Sequence, residues 1–124
     1  MRLAEDCKDV RRILPVFLFL PLLCQAQQQS IDIVLPVKQV HEECLDMQAG
    51  QSLHYRFESS ADLEFNLHFH HGNNVTYPDK GKYSNYSNSY VADQANTFCL
   101  MWENTGAAPA KLQSAFRLES ARAN

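Results

Sequence analysis

Histidine side chains provide the first candidate for chemistry in this sequence. His68 and His70 are two residues apart in a segment that alternates apolar and polar residues, so their imidazoles should project as an exposed row from one strand face. Histidine pairs of this kind bind Cu(II) or Zn when a carboxylate or a third histidine completes the ligand set. The residues available for that role are His71 at the next turn, Glu64 in the same row, and His54, predicted on a neighbouring strand. A solvated polar face is the competing interpretation.

A second candidate is the segment of residues 83–90, which contains only Tyr, Ser and Asn. Tyrosine supplies rigid amphipathic contact area, while serine and asparagine supply adaptable hydrogen bonds, as in antibody contact loops. Because the segment follows a turn predicted at residues 78–81, we predict that it is a surface loop. A mobile polar connection without a binding role is the competing interpretation. The side chains expected to contact a partner are Tyr83, Tyr86, Tyr90, Asn85 and Asn88.

Catalytic motifs are missing from the sequence. It contains no nucleophile elbow, no glycine-rich phosphate loop and no paired metal motif of the helical type. Glu42 and Glu43 are adjacent, so in a strand they would point to opposite faces and would make a poor acid/base pair. The sequence therefore predicts a protein that is not an enzyme and needs no cofactor, with Cu or Zn as the candidates if a metal is bound.

The N-terminus has the pattern of a removed signal peptide over residues 1–26. An arginine pair precedes a short apolar run at residues 13–23, and Ala26 ends a small-residue cleavage motif. The run is shorter than the roughly 20 residues that a transmembrane helix needs, so no stable membrane span is expected after cleavage. Acidic residues at the start are unusual for a signal peptide, which leaves Met1 and Val10 both open as the translation start. We predict export to a periplasm, an extracellular space or a secretory lumen.

Export changes how the cysteines are interpreted. Cleavage would remove Cys7 and Cys24 and would leave Cys44 and Cys99, which in a small exported domain are expected to form one disulfide. Closing that loop would stabilise the fold by roughly 4 kcal/mol. The whole chain has a formal net charge of −3 and no basic run, which argues against nucleic-acid binding.

Strand patterns fill the rest of the chain. Apolar and polar residues alternate at residues 53–58 and again at 63–70, as is typical of half-buried strands. Residues 98–102 are apolar on both faces, which indicates a central strand with Trp102 in the core. No segment keeps a 3.6-residue apolar period. We therefore predict an all-β antiparallel sandwich of short strands.

Several segments resemble a GOLD (Golgi dynamics) domain, in the order that this family has them. The similarity covers about residues 42–119, and its motifs are Glu43-Cys44-Leu45, Gly50, Leu53-His54-Tyr55-Arg56-Phe57, residues 63–69, Phe98-Cys99-Leu100-Met101-Trp102-Glu103-Asn104 and Lys111-Leu112-Gln113. The resemblance implies a GOLD-like or jelly-roll-like β-sandwich of about eight short strands, used for protein–protein contacts in cargo sorting, without catalysis. Cargo receptors of this type continue into a coiled coil and a membrane span, whereas a stand-alone domain is expected here.

One cysteine departs from that family pattern. The second cysteine usually stands three residues before the asparagine, at the place of Met101, whereas Cys99 stands five before Asn104. A shift of two residues keeps the same strand face, so a disulfide to Cys44 is still expected.

These observations predict a domain division and a function. The divisions are a signal peptide (1–26), a flexible N-terminal tail with the first strand (27–41), the sandwich domain (42–120) and a C-terminal tail (121–124). The predicted function is an exported, non-enzymatic module that binds another protein, in an oligomeric state left open. The alternatives are a small periplasmic or extracellular metal-binding protein and an accessory domain of an enzyme or transport complex.

Overall fold

The computed structural model describes residues 28–121, which are all-β. The strands are β1 (Gln29–Leu35), β2 (Val40–Met47), β3 (Ser52–His71), β4 (Asn74–Val91), β5 (Asn96–Glu103) and β6 (Ala110–Glu119). They form one antiparallel sheet in the order β1-β6-β3-β5-β2, and β4 pairs with β3. The predicted signal peptide and residues 122–124 lie outside the described residues. No helix in residues 28–121 is long and apolar enough to cross a membrane.

Strand β3 is the central strand of the sheet and pairs with β4, β5 and β6. One of its edges pairs with β4 over nearly its whole length. The other edge is shared, because the first half of β3 (residues 52–59) pairs with β6 and the second half (residues 64–69) pairs with β5. A register shift between Glu58 and Leu63 separates the halves, and such irregularities bend a strand sharply.

The bend folds the β3–β4 hairpin back on itself. Phe57 and Phe65 would be about 26 Å apart in a straight strand, yet their ring centroids are 5.1 Å apart. The curled sheet therefore has two packed layers. We call them the disulfide layer (β2, β5, the second half of β3 and the first half of β4) and the concave layer (β1, β6, the first half of β3 and the second half of β4). The prediction of an all-β antiparallel fold is confirmed, and the two long strands supply two segments each.

The core lies between the layers and is rich in aromatic rings. Trp102 from β5 contacts Phe57 and Phe65, with ring centroids at 5.9 and 5.8 Å. Tyr90 from the concave layer contacts Phe98 from the disulfide layer at 5.5 Å. Period-2 alternation places one residue in two on this inner side, which is why the sequence pattern predicted the core strands.

A buried asparagine joins the loops at one end of the sandwich. The Asn104 side-chain amide donates to the carbonyl oxygens of Leu35 (3.0 Å) and Ala108 (2.9 Å), and its oxygen accepts from the Gly106 amide (2.9 Å). The Asn104 carbonyl accepts from Lys38 in the β1–β2 turn at 2.8 Å. One fully buried side chain therefore fixes the ends of both layers.

Two predictions about the middle of the chain are wrong. Residues 78–81, predicted as a turn, and residues 83–90, predicted as a surface loop, both belong to β4. Pro78 is accommodated because it lies beside the register shift between Leu67 and Phe69, where the ladder of an edge strand is already interrupted. Tyrosine is also favoured in strands that are half buried.

Candidate functional site

Cys44 and Cys99 form the expected disulfide. They are directly opposite each other in the β2–β5 ladder, with Cα atoms 4.0 Å apart, on the outer side of the disulfide layer. Cys44 is exposed and Cys99 is buried, and within residues 28–121 no cysteine is free. The bridge pins the edge strand β2 to the sheet.

His68 lies beside this disulfide and is buried, with a relative exposure of 6%. The prediction of an exposed row is therefore wrong at His68. The rings of Tyr77 and His70 cover it, with centroids 5.9 and 5.4 Å away. Cys99 lies directly opposite His68 on β5. Burial lowers the pKa of His68, and the nearby His70 lowers it further while Glu42 opposes the shift. A neutral imidazole is the form that binds metals.

The contact with Asn66 favours the tautomer of His68 that carries its proton on Nδ1. Nδ1 is 2.7 Å from Oδ1 of Asn66, and a carbonyl oxygen only accepts, so Nδ1 is the donor. Nε2 is then the lone-pair nitrogen, and it lies 3.7 Å from Oε2 of Glu42.

Of the other predicted metal ligands, only His70 lies beside His68, with ring centroids 5.4 Å apart, while His54, His71 and Glu64 do not converge on it. His54 lies on the same strand β3 rather than on a neighbouring one, but in the concave layer, where it contacts Ser89 Oγ at 2.6 Å and Glu119 Oε2 at 2.7 Å. His71 follows His70 at the exposed strand end, on the alternate face.

Glu64 shares the outer face with His68 but lies at the far end of the row. It is opposite Lys82 on one side and Glu103 on the other. The predicted ligand set of His68, His70, His71, His54 and Glu64 is therefore not assembled by the fold.

A different group comes together instead. Ligand atoms of Glu42, His68 and Cys99 lie within 4.8 Å of one another. Glu42 gives no sequence signal of a ligand role, since no local pattern shows that β2 pairs with β5. In the oxidised protein the Cys99 sulfur is part of a disulfide and is not the thiolate that binds metals.

The predicted contact tyrosines serve a different purpose. Asp79 accepts hydrogen bonds from the hydroxyl of Tyr86 (3.0 and 2.9 Å), from Nδ2 of Asn88 (3.1 Å) and from the hydroxyl of Tyr55. Burial, followed by the bond to Asp79, raises the pKa of Tyr55 and raises the pKa of Tyr86 to about 12. Because Asp79 lies in one layer and the other three in the second layer, this cluster closes the β4 side of the sandwich.

The remaining tyrosines of the segment also pack inward. Tyr83 stacks on Tyr86, with ring centroids 4.0 Å apart and planes at 3°. Tyr90 is half-buried against Phe98. Asn85 is exposed on the outer face, so the predicted set is divided between the inside and the outside of the fold.

The outer side of the concave layer carries a shallow cavity that the sequence analysis missed. The cavity has a volume of about 500 Å³, and a second one of about 290 Å³ adjoins it, since both are lined by Gln28, Arg56, Ser87 and Ala115. We call this surface the concave face. Its hydrogen-bonding rim includes Asp32, Glu58, Asn85 and Gln113.

Strand register explains the shape of the concave face. Ser30, Ala115, Arg56 and Ser87 are paired successively and form one row across β1, β6, β3 and β4. Three of these four side chains are short, so the centre of the sheet is left open around Arg56. No sequence signal could reveal this row, because its members are far apart in the chain.

No protein-family model and no curated protein matches this chain. Among solved structures, it is similar to PliG of Aeromonas hydrophila, a periplasmic lysozyme inhibitor of g-type lysozyme, with a TM-score of 0.59 and 13% identity over 76% of this chain and 88% of that one. It is also similar to the Yersinia pseudotuberculosis-derived mitogen, with a TM-score of 0.56 and 11% identity over 81% and 92%. At such identities the similarity shows a shared β-rich fold, and the resemblance to GOLD domains stays a prediction.

Proposed function

We propose that this chain is an exported, non-enzymatic protein-binding module that contacts its partner through the concave face. The observation that carries the proposal is the row of short side chains around Arg56, which leaves a polar cavity of about 500 Å³ on a rigid four-stranded surface. A disulfide in a small domain supports export, since such bonds persist in oxidising compartments.

The chemistry of the concave face favours a polypeptide over a small molecule. Small-molecule pockets are mostly apolar and enclosed, whereas this surface is open and offers groups of both signs, since Arg56, Asp32 and Glu58 all line it. A protein loop with mixed hydrogen-bonding groups matches such a surface. Its breadth across four strands also suits a protein contact.

The fold comparison supports the same class of function. By their names, the two similar structures are an enzyme inhibitor and a mitogen, and neither is an enzyme. A g-type lysozyme is therefore the first purified protein to test as a partner. An enzyme or transport subunit is a second class of partner, for which this chain would be the accessory domain.

The experiment compares two exposed positions of β4 that lie in different layers. A photo-crosslinking amino acid replaces Ser87 in the concave face or, as the matched control, Val75 in the disulfide layer. We expect a specific protein adduct from position 87 and none from position 75. The partner is then identified and titrated as a purified protein.

The purified pair decides the proposal. Ser87→Arg fills the floor of the cavity and should weaken binding at least tenfold, which is about 1.4 kcal/mol, whereas Val75→Arg should leave it unchanged. The proposal is overturned if no partner crosslinks at position 87, or if Ser87→Arg binds the identified partner as tightly as the unmodified protein.

A further inference from the structure

Potential metal ligands lie around the disulfide, but in the oxidised protein the two sulfurs are bonded to each other and cannot bind a metal as thiolates. Glu42, His68 and Cys99 present a carboxylate oxygen, an imidazole nitrogen and a sulfur within 4.8 Å of one another. The sulfur of Cys44 is bonded to that of Cys99 but is not one of these three mutually close atoms. Three ligand groups therefore meet on the outer side of the disulfide layer, and a fourth, Cys44, adjoins them through the bridge.

The imidazole is already oriented as a metal ligand. Asn66 accepts the Nδ1 proton of His68 at 2.7 Å, which leaves the Nε2 lone pair facing Glu42 at 3.7 Å. Metal-bound histidines characteristically donate their other ring N–H to an oxygen in this way. The side chain of His68 is more than nine-tenths buried, so its orientation is held by the surrounding residues.

We propose that reduction of the Cys44–Cys99 disulfide creates a tetrahedral Zn²⁺ site. Its ligands are the thiolates of Cys44 and Cys99, Nε2 of His68 and a carboxylate oxygen of Glu42. This inference does not depend on the protein-binding function proposed above.

The redox step needs a dithiol reductant. Two electrons and two protons from the dithiol convert the disulfide to two thiols, and the dithiol becomes a disulfide. Zn²⁺ then replaces the two thiol protons, which are released to solvent. The oxidised protein has no thiolate to offer, so the disulfide acts as the switch.

Distances and access both suit this site. Ligands bound at Zn²⁺ in a tetrahedron lie roughly 3.3–3.8 Å from one another, and the Nε2–Oε2 separation between His68 and Glu42 is 3.7 Å. The cysteines are directly opposite in neighbouring strands, so their sulfurs can separate by rotation of the side chains. Cys44 and Glu42 are exposed, which gives the reductant and the metal a route from solvent.

The test uses the exported chain, reduced with a phosphine and titrated with Co²⁺ as a spectroscopic substitute for Zn²⁺. We expect one Co²⁺ per chain with a thiolate-to-cobalt charge-transfer band, and displacement of Co²⁺ by Zn²⁺. The oxidised protein should show neither. Glu42→Gln removes one ligand and should weaken binding of Zn²⁺ at least tenfold.

The matched control is Glu43→Gln. Glu43 is the next residue in β2 but faces the other side of the sheet, where it contacts His41 at 2.9 Å, so its replacement should not change Zn²⁺ affinity. If the reduced protein unfolds, Zn²⁺ should restore its far-UV circular dichroism. The proposal is overturned if reduced and oxidised proteins bind Zn²⁺ equally, if Zn²⁺ fails to refold an unfolded reduced chain, or if Glu42→Gln and Glu43→Gln behave alike.

Discussion

Both layers contain segments of the same long hairpin, yet the outer face of one layer is closed by side chains and that of the other is open. In the disulfide layer Asn66 and His68 are buried and hydrogen-bonded to each other, and the Tyr77 ring and Cys99 lie beside His68. In the concave layer the outward-facing positions hold short side chains such as Ser87, and Arg56 is exposed. One face is closed by bulky groups and a covalent bond, and the other is left open.

This difference places the stabilising groups and the open surface in separate layers. The covalent bond and the buried polar pair lie in one layer, while the open surface lies in the other. An exposed residue of the concave face such as Ser87 can therefore be replaced without removing the disulfide or the Asn66–His68 hydrogen bond. The following predictions test whether the two layers are as independent as this comparison suggests.

The largest effect is expected where the layers meet. Phe65→Ala removes a ring that contacts Phe57, Tyr86 and Trp102, and deleting such a buried ring costs about 3–5 kcal/mol. Urea unfolding followed by fluorescence and circular dichroism should show one transition shifted to lower urea. Val34→Ala, at a side chain that is 60% exposed, should cost less than about 0.5 kcal/mol. Separate transitions for the two layers would contradict this expectation.

Removal of the Cys44–Cys99 disulfide should destabilise the disulfide layer more than the concave layer. The double variant Cys44→Ala with Cys99→Ala should lower the free energy of unfolding by about 2–4 kcal/mol, because the bridge closes a loop with a sequence separation of 55. Hydrogen exchange should accelerate more in β2 and β5 than in β1 and β6. Equal acceleration in all four strands would show that the layers do not open separately.

Loss of the carboxylate that links the layers should have a smaller effect. Asp79→Asn removes the charge that accepts bonds from Tyr55, Tyr86 and Asn88, and we expect a loss of about 1–2 kcal/mol. The pKa of Tyr86 should fall toward its ordinary value. The exposed Asp62→Asn is the control, and it should change neither quantity. An unchanged pKa of Tyr86 would show that Asp79 has no such influence.

The same cluster makes stability sensitive to alkaline pH. Burial and Asp79 raise the pKa of Tyr86 to about 12 in the folded state, above the unfolded value of about 10. The contribution of the neutral Tyr86 phenol to the free energy of unfolding is fully present below a pH of about 10. It is lost as the pH rises through about 12. Urea midpoints and tyrosinate absorbance measured across this range should change together. A constant midpoint up to pH of about 12 would contradict the linkage.

Sequence patterns were sufficient for the parts of the fold that depend on local alternation. Residues 53–58 and 63–70 predicted their strands because each alternates with period 2, and the all-β class followed from the missing helical period. The cysteine pair could be predicted from the count alone once export was assumed. Each of these inferences needs only neighbouring residues.

The errors arose where a residue's environment comes from another strand. Pro78 was interpreted as a turn, since the sequence does not show that it lies beside a register shift on an edge strand. His68 was predicted to be exposed, because neither Tyr77 nor Cys99 is near it in sequence. The concave face was missed for the same reason, as its row joins Ser30, Ala115 and Ser87 across three pairings.

The long hairpin described above also sets the order in which the chain can fold. Strands β3 and β4 are adjacent in sequence and meet across a turn at Gly72, whose φ of 60° glycine adopts without strain. Contacts that are local in sequence close at the smallest entropic cost, so this hairpin can form early as the template for β5 and β6. Strand β2 can align only after β5 is in place, because β5 is its partner. We therefore expect native oxidation of the cysteines to come late in refolding, with a rate that reports completion of the sheet.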